Sequence, residues 1–174
     1  MGMRDWIIGP LGVGLAVAVT LGAVVTIDAG RGGKEKNMKP DDRGDAELVT
    51  LPSGHGVSET VERMKALLEK KKIQVFAHID HAEAAKKVGL SLRPTQVLIF
   101  GNPQAGTPLM QSRQTIGLDL PLRVLIWEDE AGKVWLTYRR PSFLAERHQV
   151  SGQDDAVKAL DDGLAALARA ATAQ

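Results

Sequence analysis

An α+β domain standing behind one transmembrane helix is the architecture this sequence predicts. Three observations carry that expectation. Residues Trp6 to Ile27 form an apolar run without a single charge. From Glu47 onward, short apolar runs of strand length alternate with segments of helical periodicity. Between Leu122–Trp127 and Val134–Tyr138, the stretch Glu128-Asp129-Glu130-Ala131-Gly132-Lys133 reads as a hairpin turn, with Gly132 free to take positive φ. One hairpin makes at least part of the sheet antiparallel. The expected fold is therefore a single, partly antiparallel sheet with helices mainly on one face.

Residues 1–28 are expected to anchor the chain in a membrane as a single pass. A helix of about 22 residues rises about 33 Å, against a hydrocarbon core of about 30 Å. Pro10 sits near its start, where a missing N–H costs little, and Trp6 marks one edge, where an interfacial ring is favourable. A cleaved signal peptide is the competing reading, but its apolar region is usually shorter. The A-x-A site Ala16-Val17-Ala18 also falls inside the run. Gly14, Ala18 and Gly22 recur every four residues, a stripe along which membrane helices approach closely. Arg31, Lys34, Lys36, Lys39 and Arg43 follow the run and only Arg4 precedes it. That balance favours a cytoplasmic domain, whereas the signal-peptide reading favours a periplasmic one, so the side stays open. Residues 29–46 are rich in Gly, Lys, Asp and Pro and read as a flexible polar linker. Its basic half, Arg31 to Lys39, suits anionic headgroups as well as plain solvent.

The folded part begins with a strand over Glu47–Leu51. Ser58 is expected to cap the next helix, whose Val61, Met64, Leu67 and Leu68 share one face and whose end carries Lys70-Lys71-Lys72. Ile73 to Ile79 alternates, with Ile73, Val75, Ala77 and Ile79 opposed to Gln74, Phe76 and His78. Asp80 caps a second helix that Gly89 ends. Thr95–Phe100 is a central strand, followed by a short helix over 103–114. Pro141 starts a helix running to His148, and an Ala-rich helix covers Asp154–Ala171.

Composition excludes several chemistries. The 174 residues hold 22 Lys plus Arg against 21 Asp plus Glu, a net charge of +1, which is too even for a nucleic-acid footprint. Aromatic content of 4% leaves little for base stacking. With no cysteine there are no disulfides, thiolate metal sites, Fe–S clusters or thiol nucleophiles. GxGxxG, P-loop and HExxH patterns are also missing.

Three ordered motifs carry a resemblance. They are Ile79-Asp80-His81-Ala82; Leu92-Arg93-Pro94-Thr95 with Ile99-Phe100-Gly101-Asn102-Pro103-Gln104-Ala105-Gly106-Thr107-Pro108-Leu109-Met110; and Ile116-Gly117-Leu118-Asp119-Leu120-Pro121-Leu122 with Trp127-Glu128-Asp129 and Gly132-Lys133-Val134-Trp135. Together they resemble the domain-of-unknown-function 302 family over roughly residues 48 to 150. The resemblance implies a small α+β domain that forms homodimers, and it supplies no reaction. On this reading residues 47–150 are the family domain and residues 151–174 are an added C-terminal Ala-rich helix. One departure follows the tyrosine. Tyr138-Arg139-Arg140-Pro141 places two cations where the family pattern expects small polar or acidic residues.

Gly101, Asn102, Gly106 and Thr107 are the leading ligand-binding candidates. A strand runs there into a Gly- and Pro-rich loop at a helix start, which can present N–H groups to an anion or carbonyl. Turn and capping chemistry alone also accounts for them. Arg139, Arg140 and Arg147 are added as anion-binding candidates, although they can equally line a wet face. His78, His81 and His148 are candidates for metal or haem ligation, with Met110 as a further partner, or for general base work. A capping Asp80 and a solvent-facing His78 are the plainer reading. Asp119, between Leu118 and Leu120, is a buried-charge candidate expected to ion-pair with Arg93, Arg113 or Arg123. Ser53 and His55 adjoin in a glycine-rich loop, with no acid beside them in sequence. Trp127 and Trp135 are expected to pair across strands as core or dimer interface.

The expected function is a membrane-tethered, dimeric binding or interaction module, an accessory subunit of a membrane complex rather than an enzyme. The expected partners are a second copy, membrane lipid and other membrane-protein subunits, without nucleic acid and without a required cofactor. Two alternatives stand beside it: a haem- or metal-binding redox protein, and an enzyme acting on an anionic small molecule with His81 or Asp119 as base.

Overall fold

The computed structural model describes residues 47–174. The apolar run within 1–28, its Gly14/Ala18/Gly22 stripe and the linker 29–46 lie outside the described residues. Among the described residues, no helix is long and apolar enough to cross a membrane.

The elements run β1 (Leu48–Pro52), α1 (Val57–Lys70), β2 (Gln74–Asp80), α2 (His81–Lys87), β3 (Thr95–Gly101), α3 (Pro103–Ser112), a 3-10 helix (Gln114–Leu118), β4 (Leu122–Glu128), β5 (Val134–Arg139), α4 (Pro141–Arg147) and α5 (Asp154–Thr172). The strands form one sheet in the order β1-β5-β4-β3-β2. The fold is α+β as expected, but the sheet is antiparallel at every pairing rather than partly so. The connections β2–β3 and β3–β4 return the chain antiparallel through helices, as the hairpin does between β4 and β5, while the connection through α1 carries the chain from one edge strand, β1, to the other, β2.

Alternation along the strands sorts the sheet into two faces. Leu98 and Phe100 of β3, Leu122, Val124 and Ile126 of β4, and Val134, Leu136 and Tyr138 of β5 are buried on one of them. Helices cover that face: Val57, Val61, Met64 and Leu68 of α1, Leu109 of α3, Leu144 of α4, and Leu164, Leu167, Ala168 and Ala171 of α5 join the same cluster, with Ile116 from the 3-10 helix. The apolar stripe of α1 falls on 57, 61, 64 and 68, the spacing that aims one face of a helix at a core.

Several local expectations change. Ser58 does not cap α1. Gly56 takes the N-cap position, and its carbonyl accepts from both the amide and the hydroxyl of Thr60, so the cap lies two residues earlier than expected. The strict alternation of β2 fails at a bulge: Val75 pairs with Phe100, while Ala77 already pairs with Ile99. Phe76 absorbs the extra residue. Val75 therefore faces the helices, whereas Ala77 and Ile79 share the far face with Ile99 and Val97. The helix expected over 103–114 ends at Ser112, and the chain tightens into the 3-10 helix, an element that short apolar periodicity does not reveal.

The helix set apart as an addition over residues 151–174 packs as part of the domain. Leu164, Leu167, Ala168 and Ala171 are at most 3% exposed. Arg63 of α1 closes the carboxyl end of α5 by donating to the carbonyls of Ala171, Ala170 and Ala173 at 3.0, 3.3 and 2.8 Å. Those carbonyls have no partner within the helix, and a cation there also suits its dipole. At the same end, His55 Nε2 meets the Ala173 carbonyl at 2.7 Å, and its Nδ1 lies 2.8 Å from Glu59. The carboxylate missing beside Ser53 and His55 in sequence stands one helical turn away, but it serves this junction.

The far face of the sheet carries Val97, Ile99, Leu125, Trp127 and Trp135, all partly buried, with Ile79 at 39% and Phe76 at 48% exposure. Trp127 and Trp135 are direct cross-strand partners with ring centroids 6.5 Å apart, as their flanking positions predicted. The Lys133 ammonium sits 4.1 Å from the centre of the Trp135 ring.

Candidate functional site

An open groove of about 890 Å³ lies between α3, the 3-10 helix and α4. Thr107, Met110 and Gln111 come from α3, Arg113 and Thr115 from the turn after it, and Arg147, His148 and Gln149 from the end of α4. Local sequence explains the convergence. Pro141 fits the first turn of α4, and Gln149 takes positive φ just past its end, which turns the chain back along the groove. Arg113 Nε then donates to the Gln149 carbonyl at 3.0 Å, and Ser112 and Ser151 exchange two hydrogen bonds. The two walls are tied together.

At the floor lies a three-residue chain of hydrogen bonds. His148 Nε2 is 2.8 Å from Asp119 Oδ2, and His148 Nδ1 is 3.1 Å from Thr115 Oγ1. The His148 and Asp119 side chains are only 10% and 15% exposed, so water screens their interaction weakly. A carboxylate only accepts, which assigns the proton of neutral His148 to Nε2. The Nδ1 lone pair then receives the Thr115 hydroxyl proton. Arg139 Nη1 lies 4.0 Å from Asp119 Oδ1, and Arg139 is itself bound by Glu47 at 2.9 Å. Behind the chain, a cavity of about 50 Å³ is lined by Asp119, Leu122, Arg123, Arg139 and Leu144. The arrangement places a weak nucleophile, a base and an orienting carboxylate in line at the edge of a groove whose rim carries Arg113 and Arg147.

Asp119 is the candidate the structure develops, but with different partners from those expected. Arg93 reaches Glu130 at 3.8 Å, Arg113 binds the Gln149 carbonyl and Arg123 the Leu118 carbonyl. His148 and Arg139 take their place because the 3-10 helix and the end of α4, distant in sequence, meet there. His78, His81 and His148 do not assemble. His78 Nε2 bonds Gln96 Oε1 at 2.8 Å, Gln96 in turn donates to Asp80, His81 is exposed at the start of α2, and His148 belongs to the groove. Among the described residues, no group of three or more His, Cys, Asp or Glu side chains is placed to hold a metal ion.

The Gly101–Thr107 loop divides between two roles. Asn102 caps α3 by accepting from the Gln104 amide at 2.9 Å, and its carbonyl takes the Ala105 and Gly106 amides. A Cβ on Gly101 would stand 3.3 Å from Pro121 Cβ, and one on Gly106 would stand 3.6 Å from Leu120 Cδ1. Those two glycines serve close packing against the turn before β4. Thr107 alone of the four lines the groove. Arg140 is exposed at the N-cap position of α4, apart from Arg139.

Arg147, an anion-binding candidate from the sequence, does line the groove, whereas Thr115 and Arg113 are groove residues that sequence reasoning did not place in a binding site. Thr115 precedes an Ile-Gly-Leu-Asp stretch in a segment without periodicity, so only its encounter with His148 marks it.

Comparison with known proteins places the chain. A family model described as "Domain of unknown function DUF302" matches residues 49–167, and the chain belongs to that family. The match extends past residue 150 into α5, in accord with the packing of that helix. The crystal structure of an uncharacterized conserved DUF302 protein from Bacillus stearothermophilus superposes with a TM-score of 0.66 at 20% identity, covering 72% of this chain and 98% of that one. That likeness shows the fold. "Fluoride-specific ion channel FluC 1" of Brucella suis biovar 1 is 52% identical over 120 residues, covering 68% of this chain and 47% of that protein. "Fluoride-specific ion channel FluC 2" of Brucella melitensis biotype 1 is 52% identical over 120 residues, covering 68% of this chain and 44% of that protein. The chain thus spans less than half the length of these curated relatives.

Proposed function

We propose that this member of the domain-of-unknown-function 302 family is a dimeric binding module that takes a small organic anion in the α3–α4 groove and works as an accessory domain beside a membrane channel. The observation that carries the reading is the groove itself. Arg113 and Arg147 stand on its rim above the shielded Asp119–His148 pair. Guanidinium groups are suited to carboxylate and phosphate, and a concave wall raises their effect on a bound anion. The test is a calorimetric titration of the full chain with phenyl phosphate. The expected result is saturable binding weakened at least about tenfold in an Arg113→Gln/Arg147→Gln double variant. Equal binding in both proteins, or none in either, overturns the groove.

The helix-free sheet face supports self-association with a second copy. Its middle is apolar, through Val97, Ile99 and Leu125, while Arg123 and Arg139 lie towards one end of β4 and β5 and Glu128, Asp129 and Glu130 at the other. A two-fold axis across the strands lays the basic end of one copy over the acidic end of its partner, the self-complementary arrangement of an isologous dimer. Light scattering on the full chain is expected to give a dimer, and Leu125→Glu a monomer. A monomeric wild type, or a dimeric Leu125→Glu, contradicts this interface.

Membrane association remains part of the proposal. The Trp6–Ile27 run supports it, and so does the α2–β3 loop. There Val88, Leu90 and Leu92 are 72%, 67% and 48% exposed and are bracketed by Lys86, Lys87 and Arg93, a pattern suited to an anionic lipid surface. The channel is suggested by the two Brucella relatives, which are named fluoride-specific ion channels and share 52% identity with this chain over 120 residues. Full-length protein is expected to stay with membranes in alkaline carbonate; release into the supernatant removes the tether.

A further inference from the structure

We infer that the groove is also a hydrolytic site, in which Thr115 attacks the acyl carbon of an ester that carries a second, anionic group. This rests on the proposed anion binding and adds a reaction to it. Three geometric facts point there. His148 is held at both ring nitrogens, by Asp119 at 2.8 Å and by Thr115 at 3.1 Å, so the imidazole is oriented and its free base faces a hydroxyl. The pair is shielded while Thr115 is exposed to the groove, which separates the base from bulk water and leaves the nucleophile open to a ligand. Arg139 Nη1 lies 4.0 Å from Asp119 Oδ1, the carboxylate oxygen that the imidazole does not use, so both oxygens of the orienting group face a partner. A nucleophile, a base and an orienter in hydrogen-bond reach are the parts that acyl transfer needs.

The steps balance without any other reagent than water. Thr115 Oγ1 bonds to the ester carbonyl carbon as its proton passes to His148 Nδ1. The tetrahedral adduct collapses, the carbon–oxygen bond to the alcohol breaks, and the alcohol leaves with the proton from Nδ1. Water then attacks the acyl-threonine, His148 Nδ1 takes a proton from it, and Thr115 departs with that proton. An ester and a water become an acid and an alcohol. Asp119 positions the ring and offsets the charge of the imidazolium that forms twice along this path. Arg113 and Arg147 hold the anionic end of the substrate.

The experiment uses the full chain and the mono-4-nitrophenyl ester of succinic acid, with 4-nitrophenyl acetate as the neutral control. The expected result is nitrophenolate release faster with the succinyl ester, together with a succinyl adduct mapped to Thr115 by peptide mass. Thr115→Val and His148→Gln should each lose at least about a hundredfold, the scale of positioned acid–base help, and Thr115→Ser should retain activity. Asp119→Asn should lower turnover while phenyl phosphate binding persists, which a purely structural role for the hydroxyl chain does not predict. Release unchanged in Thr115→Val and His148→Gln, or an adduct only on lysines, overturns the proposal. Phenyl phosphate binding without any acylation removes the chemistry and keeps the binding module. Acylation of Thr115 by both esters without phenyl phosphate binding keeps the chemistry and removes the anion site.

Discussion

Leu167→Ala probes whether α5 belongs to the cooperative core. Leu167 is 3% exposed and packs in the cluster that joins α5 to α1 and the sheet. Removing a buried leucine side chain costs the transfer of its carbons plus the cavity left behind, about 3 kcal/mol within a range of roughly 2–5. The described domain, residues 47–174, has about 128 residues, so at about 2.1 cal/mol/K per residue its unfolding entropy is about 0.27 kcal/mol/K. The expected loss in Tm is then about 11 °C. Differential scanning calorimetry on the full chain reads it, and the domain should still melt in one transition. A helix that merely trailed behind an independent domain would register like a surface change, within about 0.5 kcal/mol. A fall of less than about 2 °C, or a second transition for α5, would falsify the packing argument.

Other perturbations have equally definite outcomes. Asp119→Ala leaves the shielded His148 Nε2–H without its acceptor and should destabilise the fold by about 1–3 kcal/mol in urea titration, whereas Asp119→Asn, which can still accept, should lose less; equal losses contradict the assigned ring proton. The Trp135 indole N–H holds the Asp129 carboxyl below its ordinary value, helped by the Lys133 amide and, more weakly, by the Ala131 amide and the Lys133 charge, against an opposing effect of burial. That contribution is complete above about pH 4, the unfolded value, and is lost as pH falls through the lower folded value. Asp129→Asn should flatten the acid side of the Tm–pH curve, and an unchanged slope refutes the assignment. Burial pushes the Tyr138 phenol up, against the opposing charges of Arg140 and Arg169. Its contribution is complete below about pH 10 and is lost as pH rises through the higher folded value. Tyr138→Phe should therefore reduce the alkaline fall in stability, followed by circular dichroism.

The sequence disclosed elements whose signal is local. TQVLIF, LIW and the Gly132 turn name their strands and hairpin because strand period and turn chemistry act over a few residues. Asp80 and Asn102 cap α2 and α3 as their positions suggested. What stayed hidden depends on contacts across the chain. The bulge at Phe76 reverses the outward and inward faces of β2 without altering its composition. Gly56 starts α1 because Thr60 doubles its hydrogen bonds there, a preference that Ser58 alone cannot announce. The Ala-rich helix looks detachable until Arg63, 107 residues before Ala170, is seen holding its end. The site follows the same logic. Asp119 was visible as a charge among leucines, but its partner His148 is 29 positions away and Thr115 is 33 positions from that histidine, so neither spacing is a motif.

Amide-resolved NMR of the full chain during addition of phenyl phosphate tests the groove most directly. Saturable shifts at Thr107, Thr115 and Gln149, with the far sheet face silent at Val97 and Leu125, are the predicted outcome. Shifts spread over surface lysines, or none that saturate, contradict it.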